Sequence, residues 1–231
     1  MGRAVLAAGF AGCAALILAA KGAELWGGVA ASNGETALRI AQNAKRGPDR
    51  EKALTSAQDQ VSEAIRISGD NPKLWAVYAE TRLMQATAGG VRNVSPTLLA
   101  AAEAASLKAI NLAPNDAQAH ARLALAEGLR GDVAYAAREL KRSYELDSSS
   151  RAIGHRRVEV AGMAWRAVDV DTQRDVESEA CMLAAASQAD QTRIYNVRMT
   201  IAEPAFALAL DRVLSDGACK PEVAPAPSAE G

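Results

Sequence analysis

Aromatic residues are scarce in this chain: two Phe, three Trp and four Tyr among 231 residues. A core of stacked rings is therefore excluded. The interior must be built from Ala, Leu, Val and Ile, so helices can approach closely while each contact buries little area. Only two histidines and three cysteines are present, which leaves few groups for acid–base, nucleophilic or metal chemistry. Charge of one sign is also missing. Lys and Arg total 26 against 27 Asp and Glu, a formal net charge of −1, and this excludes the basic excess that nucleic-acid binding normally needs. Long apolar runs are absent except for one, Ala4–Ala20.

What the chain does have is alanine, the best helix former, together with helical spacing of its apolar residues. Leu54, Ala57, Val61, Ala64 and Ile65 fall on one face of the run Glu51–Ile67, with charged residues on the other. Gly47-Pro48-Asp49 breaks the pattern before it, with Asp49 placed to cap, and Ser68–Pro72 ends it. The endings Ala64–Asp70, Ala109–Asn115 and Ser143–Ser148 resemble one another, an internal repeat. Fold class is thus all-α, an array of helical hairpins.

The stretch Ala117–Ser150 sharpens this. With Ala117 as position 1, His120 falls at 4, Leu123 at 7, Ala124 at 8, Gly131 at 15, Ala136 at 20 and Leu140 at 24. With Pro72 as position 1, Trp75 falls at 4, Tyr78 at 7 and Ala79 at 8. This pattern resembles the tetratricopeptide repeat family. The resemblance covers residues 35–150 and implies an α-solenoid of helical hairpins, a binding surface and not a reaction centre. It implies that Trp75 fills the gap between the helices of its own hairpin. It places Lys73, Val77, Glu80, Leu83 and Met84 of one repeat, and Gln118, Arg122, Leu125 and Leu129 of the next, along a concave groove for a protein or peptide partner. The bland alternative is that the leucines and Met84 contact neighbouring helices of the same chain. Residues 87–94 form an insert at the turn of the first of these repeats.

Beyond Arg151 the pattern fades into helices expected over 153–167, 174–188 and 190–214, the last bent or divided by Pro204. Residues 151–216 suit a C-terminal helical cap, and 217–231, rich in Pro and Ala, a disordered tail. The segment 156–180 also resembles the C-terminal part of small anchored repeat proteins encoded with bacterial exopolysaccharide synthesis, which implies an envelope assembly.

Residues 1–31 read as a membrane anchor or a signal segment. Ala4–Ala20 lies between Arg3 and Lys21 and sits at the lower length limit for a spanning helix. Val29-Ala30-Ala31 would suit cleavage after Ala31. Arg3 favours a cytoplasmic N-terminus, which puts the repeats in the periplasm, tethered at the inner membrane or released from it. The glycine-rich stretch 21–35 reads as a tether or a frayed helix continuation. Cys181 and Cys219 either pair in an oxidising compartment or stay as two free thiols.

Candidate chemistry is thin. His120 occupies a packing position. Gly154-His155-Arg156-Arg157 is either a solvated helix start or an anion or headgroup site. Glu177 and Glu179 point to different sides of a helix. No spacing suits a metal, and no glycine pair has the context of a phosphate loop, so no cofactor is expected. The expected function is a non-catalytic interaction scaffold. The alternatives are a structural subunit of a larger complex, or an enzyme with an unrecognised site in the C-terminal helices.

Overall fold

The structure is a computed structural model that describes residues 26–44, 47–90 and 93–215. Ala4–Ala20, Cys13, Cys219 and the tail 217–231 lie outside the described residues. Every regular element among the described residues is helical. In order these are α1 (26–43), α2 (Pro48–Ile67), α3 (Pro72–Ala86), α4 (Pro96–Leu112), α5 (Ala117–Arg130), α6 (Val133–Leu146), α7 (Arg151–Ala164), a 3₁₀ turn (Trp165–Ala167), α8 (Val170–Ala186), α9 (Gln188–Thr200) and α10 (Pro204–Ser215). None of them is long and apolar enough to cross a membrane.

Local chemistry sets the boundaries. Proline opens α2, α3, α4 and α10, where its missing N–H costs nothing and its fixed φ suits the first turn. Asp49 is in the first turn of α2 and is not its cap; there its charge complements the helix dipole. The Asn71 and Asp116 side chains accept the free N–H groups that open α3 and α5. Gly131 ends α5 at φ 94°, in the left-handed region where a side chain would clash. Asp132 then caps α6.

The chain divides into two compact units, one ending at Pro114 and the other starting at Asn115. In the first, α1 runs antiparallel to α2: Ala30 packs with Ala64 and Leu74, while Leu38 and Ala41 pack with Leu54 and Ala57. Of the two readings of residues 21–35, a tether or a helix continuation, the described part follows the second, with helix over 26–43. The glycines have a packing role in it. Gly34 lies so close to α2 that a Cβ there would collide with Val61, and one at Gly27 would meet Ile67 at 3.3 Å. They are contact residues of a helix seam. Helix α3 then packs on α2 and pairs with α4.

In the second unit α5 pairs with α6, and α7 packs against both. Helix α8 packs on α7, and α9 and α10 close the end against α7 and α8. Pro204 separates α9 from α10, as expected. The alanines Ala119, Ala121, Ala124, Ala136, Ala161 and Ala180 are wholly buried where a longer side chain would hold the helices apart. At Gly162 of α7 a Cβ would lie 2.5 Å from Ile201 and 2.6 Å from the ring of Phe206, and Phe206 also packs against Trp165, ring centroids 5.3 Å apart.

Two glycine substitutions test this seam packing. Gly162→Ala overfills a closed contact and should lower stability by about 1–3 kcal/mol in urea unfolding. Gly28→Ala, in a helix with nothing within 4 Å of the added Cβ, should raise it by roughly 0.5–1 kcal/mol.

Candidate functional site

The expected groove residues divide between the two units. On α3, Lys73 is exposed, while Val77 and Met84 are half-buried and pack against the cluster of Leu38, Ala41, Leu54 and Ala57. Glu80 and Leu83 are buried at 5% and 2% exposure. On α5, Gln118 is exposed and accepts a hydrogen bond from Arg122 Nη2 at 3.1 Å. Leu125 is buried at 6% exposure, and Leu129 one turn further is half-buried. Glu80, Leu83 and Leu125 are thus buried within the chain. The accessible part of the α5 face is Gln118, Arg122 and Leu129, two polar groups and one apolar residue spaced along three turns.

The two anchors of the repeat pattern differ in depth. His120 is buried, and its Nδ1 lies 2.6 Å from Glu139 Oε2, which ties α5 to α6 inside their hairpin. Trp75 is half-buried. Its indole N–H donates to the Gly69 carbonyl at 2.7 Å, so this ring binds α3 to the turn that precedes it.

The basic cluster at 154–157 is neither solvated nor open. Arg157 is fully buried. Its Nε donates to Ser143 Oγ at 2.9 Å, and its Nη2 to the carbonyls of Ser143 and Asp147 at 2.7 and 2.6 Å. The guanidinium therefore caps the C-terminal end of α6, where a positive charge is favoured. Its Nη1 donates to Glu179 Oε1 at 3.1 Å, and its plane lies 4.3 Å over the Tyr144 ring. Tyr144 donates to the other Glu179 oxygen at 2.6 Å, and Ser143 Oγ donates to the Ala117 carbonyl at 2.8 Å. One connected network thus joins α5, α6, α7 and α8. Gly154 makes room for it, since a Cβ there would stand 3.0 Å from the Glu179 carboxyl carbon. Burial pushes the Glu179 carboxyl above its ordinary value, opposed by hydrogen bonds from Tyr144, Arg157 and the Ser150 backbone. Burial first, then the Glu179 charge, pushes the Tyr144 phenol far upward, so Tyr144 stays a neutral donor.

A second polar cluster joins the first turns of α7 and α9. His155 Nε2 is 2.8 Å from Asp190 Oδ1, and Arg151 donates to Asp190 Oδ2 at 2.6 Å. Ser187 Oγ donates to Asp190 and accepts its backbone N–H, which closes the α9 cap. His155 Nδ1 is buried without a hydrogen-bond partner, which favours the neutral tautomer that carries its proton on Nε2. Burial lowers the His155 pKa, with Arg193 and Arg151 adding to that and Asp190 opposing. Hydrogen bonds from His155, Arg151 and Ser187 hold the Asp190 carboxyl well below the usual carboxylate range.

The sequence marks the 154–157 group as basic but not its partners. Arg157 reads as one of three consecutive basic residues, and nothing local marks it as the buried one. The readable trace is at Glu179, which falls on the apolar face of α8 with Val176, Ala180 and Leu183 and so must find a positive partner. Among the described residues no group of three His, Cys, Asp or Glu side chains is arranged to hold a metal ion. Cys181 is disulfide-bonded. No protein-family model, no curated protein and no solved structure matches the chain.

Arg157→Ala should cost about 3–5 kcal/mol, because it strands Glu179 in the interior, whereas the double replacement Arg157→Met/Glu179→Leu should recover most of that loss; chemical denaturation of the single and double variants measures both. Acid should act on the α7–α9 cluster in two steps. The depressed His155 pKa means that the unfolded chain binds more protons as pH falls through 6.5, the ordinary imidazole value, so stability drops from there toward the folded value. The Asp190 contribution is present above 3.8 and is lost as pH falls below that toward its folded value. The urea midpoint should therefore fall between pH 7.5 and pH 5.5, and His155→Gln should flatten that slope.

Proposed function

We propose that this chain is a non-catalytic interaction scaffold of tetratricopeptide type, held at a bacterial inner membrane through residues 4–20 with its helical hairpins in the periplasm. The observation that carries the scaffold reading is the packing of α7 on both members of the α5–α6 hairpin. A third helix that docks on a preceding pair is the step by which hairpins extend into an array. The alanine positions, the Gly131 turn and the inward His120 agree with the repeat spacing. The Arg157–Glu179, His155–Asp190 and Arg198–Asp211 pairs of the second unit cross helix contacts, which suits a rigid platform for a protein partner.

Two features support the location. Ala30 is buried against Ala64 and Leu74, and Gly27 lies against Ile67. Cleavage after Ala31 would strip both from the first unit, so the packing favours retention of the N-terminal segment. The Cys181 disulfide fits an oxidising compartment.

Leu129→Asp and Arg122→Glu probe the α5 face at half-buried positions, whereas Asp at Leu83 or Leu125 would enter buried ones. With helical circular dichroism retained, each should reduce recovery of crosslinked partner protein from solubilised envelopes by tenfold or more; undiminished recovery with both would remove α5 as the contact. In chain purified from envelopes, Cys181 should resist maleimide until a reductant is added. Ready labelling without reductant would contradict the periplasmic reading.

A further inference from the structure

Helix α1 is covered along one stripe only. Gly27, Ala30, Gly34, Leu38 and Ala41 form the seam described above, and all five are buried. Trp26, Val29 and Ile40, by contrast, are 61%, 50% and 58% exposed. With about 100° between successive residues, these three share a second stripe beside the seam, with Asn33 between them. Between Glu24 and Glu35 the chain carries no charge, and the exposed positions of α1 in that stretch are Trp26, Gly28, Val29, Ser32 and Asn33. An uncharged surface led by an indole and an isopropyl group is poorly matched to water. It is well matched to a lipid headgroup layer, where tryptophan concentrates because its ring is apolar and its N–H can still donate.

The sequence fixes how far this surface can be from a bilayer. The apolar run ends at Ala20, six residues before Trp26. Six residues reach about 9 Å as helix and at most roughly 20 Å when extended. The headgroup region on each side of the hydrocarbon is about 5–8 Å deep. A bilayer that holds residues 4–20 therefore keeps Trp26 at or next to its surface. We propose that the first two turns of α1, led by Trp26 and Val29, rest in the lipid headgroup layer of the membrane that holds the N-terminal run. This rests on the tethered reading above and adds a contact to it: the first unit lies against the bilayer and does not swing free on a leash.

The test uses the full chain reconstituted into phosphatidylcholine–phosphatidylglycerol vesicles, with and without lipid brominated near the headgroup end of its acyl chains. Trp75 is half-buried and Trp165 is 6% exposed, so contact quenching by bromine should fall mainly on Trp26. Brominated lipid should dim the tryptophan emission, and Trp26→Phe, at an exposed position that leaves the fold intact, should abolish most of that quenching while the protein still floats with the vesicles. Flotation with no quenching, or with equal quenching in wild type and Trp26→Phe, overturns the headgroup contact and leaves the tether standing. Failure of the wild-type chain to float with vesicles overturns the tether and this contact together.

Discussion

A guanidinium with no access to water organises the second unit. Removing Arg157 from solvent costs several kcal/mol, and the structure offsets this only by giving the side chain partners on every side: a carboxylate, a hydroxyl, two carbonyls and a ring. Those partners come from α8 and from α6 with its C-cap, and Ser143 links them on to Ala117 of α5. A neighbouring register of α7 on α6, or of α8 on α7, would leave a charge stranded. Apolar contacts between alanine-lined helices are shallow and tolerate sliding; the ion pair does not. Specificity of packing therefore comes from charge in this unit, where aromatic shape would supply it in a chain richer in rings.

The first unit reaches definition differently. Its α1–α2 seam relies on backbone approach at Gly27 and Gly34, so that few side-chain atoms are needed to exclude water. Such contact yields little buried area per residue and depends on absolute fit. The same residues that make α1 a weak helix by propensity are those that let it sit against α2.

Helix identity was legible because its signals are local. Pro72, Asp116, Gly131 and Pro204 mark boundaries through their own backbone chemistry, and the structure places helix ends at or beside each. The repeat spacing also foretold that His120 would lie inside the α5–α6 hairpin. What could not be read are the features that depend on partners distant in the chain. Gly27 and Gly34 look like flexible linker until α2 lies against them. Arg157 cannot be told from Arg156 without Ser143 and Glu179 beside it. The groove residues fared unevenly for the same reason: spacing gives the face of a helix, but burial of Leu83 and Leu125 is decided by which neighbour covers that face.

Helix α9 has a single fully buried side chain, Ile194, and is fastened otherwise by Asp190 at its start and by the Arg198–Asp211 ion pair to α10. Its attachment is therefore mostly electrostatic and close to solvent, where dissolved ions screen it. Rising ionic strength loosens this helix while leaving the Arg157 network untouched, because mobile ions cannot enter a dry interior. This edge of the second unit is thus free to fray and re-form as a separate event, with the α5–α6 hairpin staying whole.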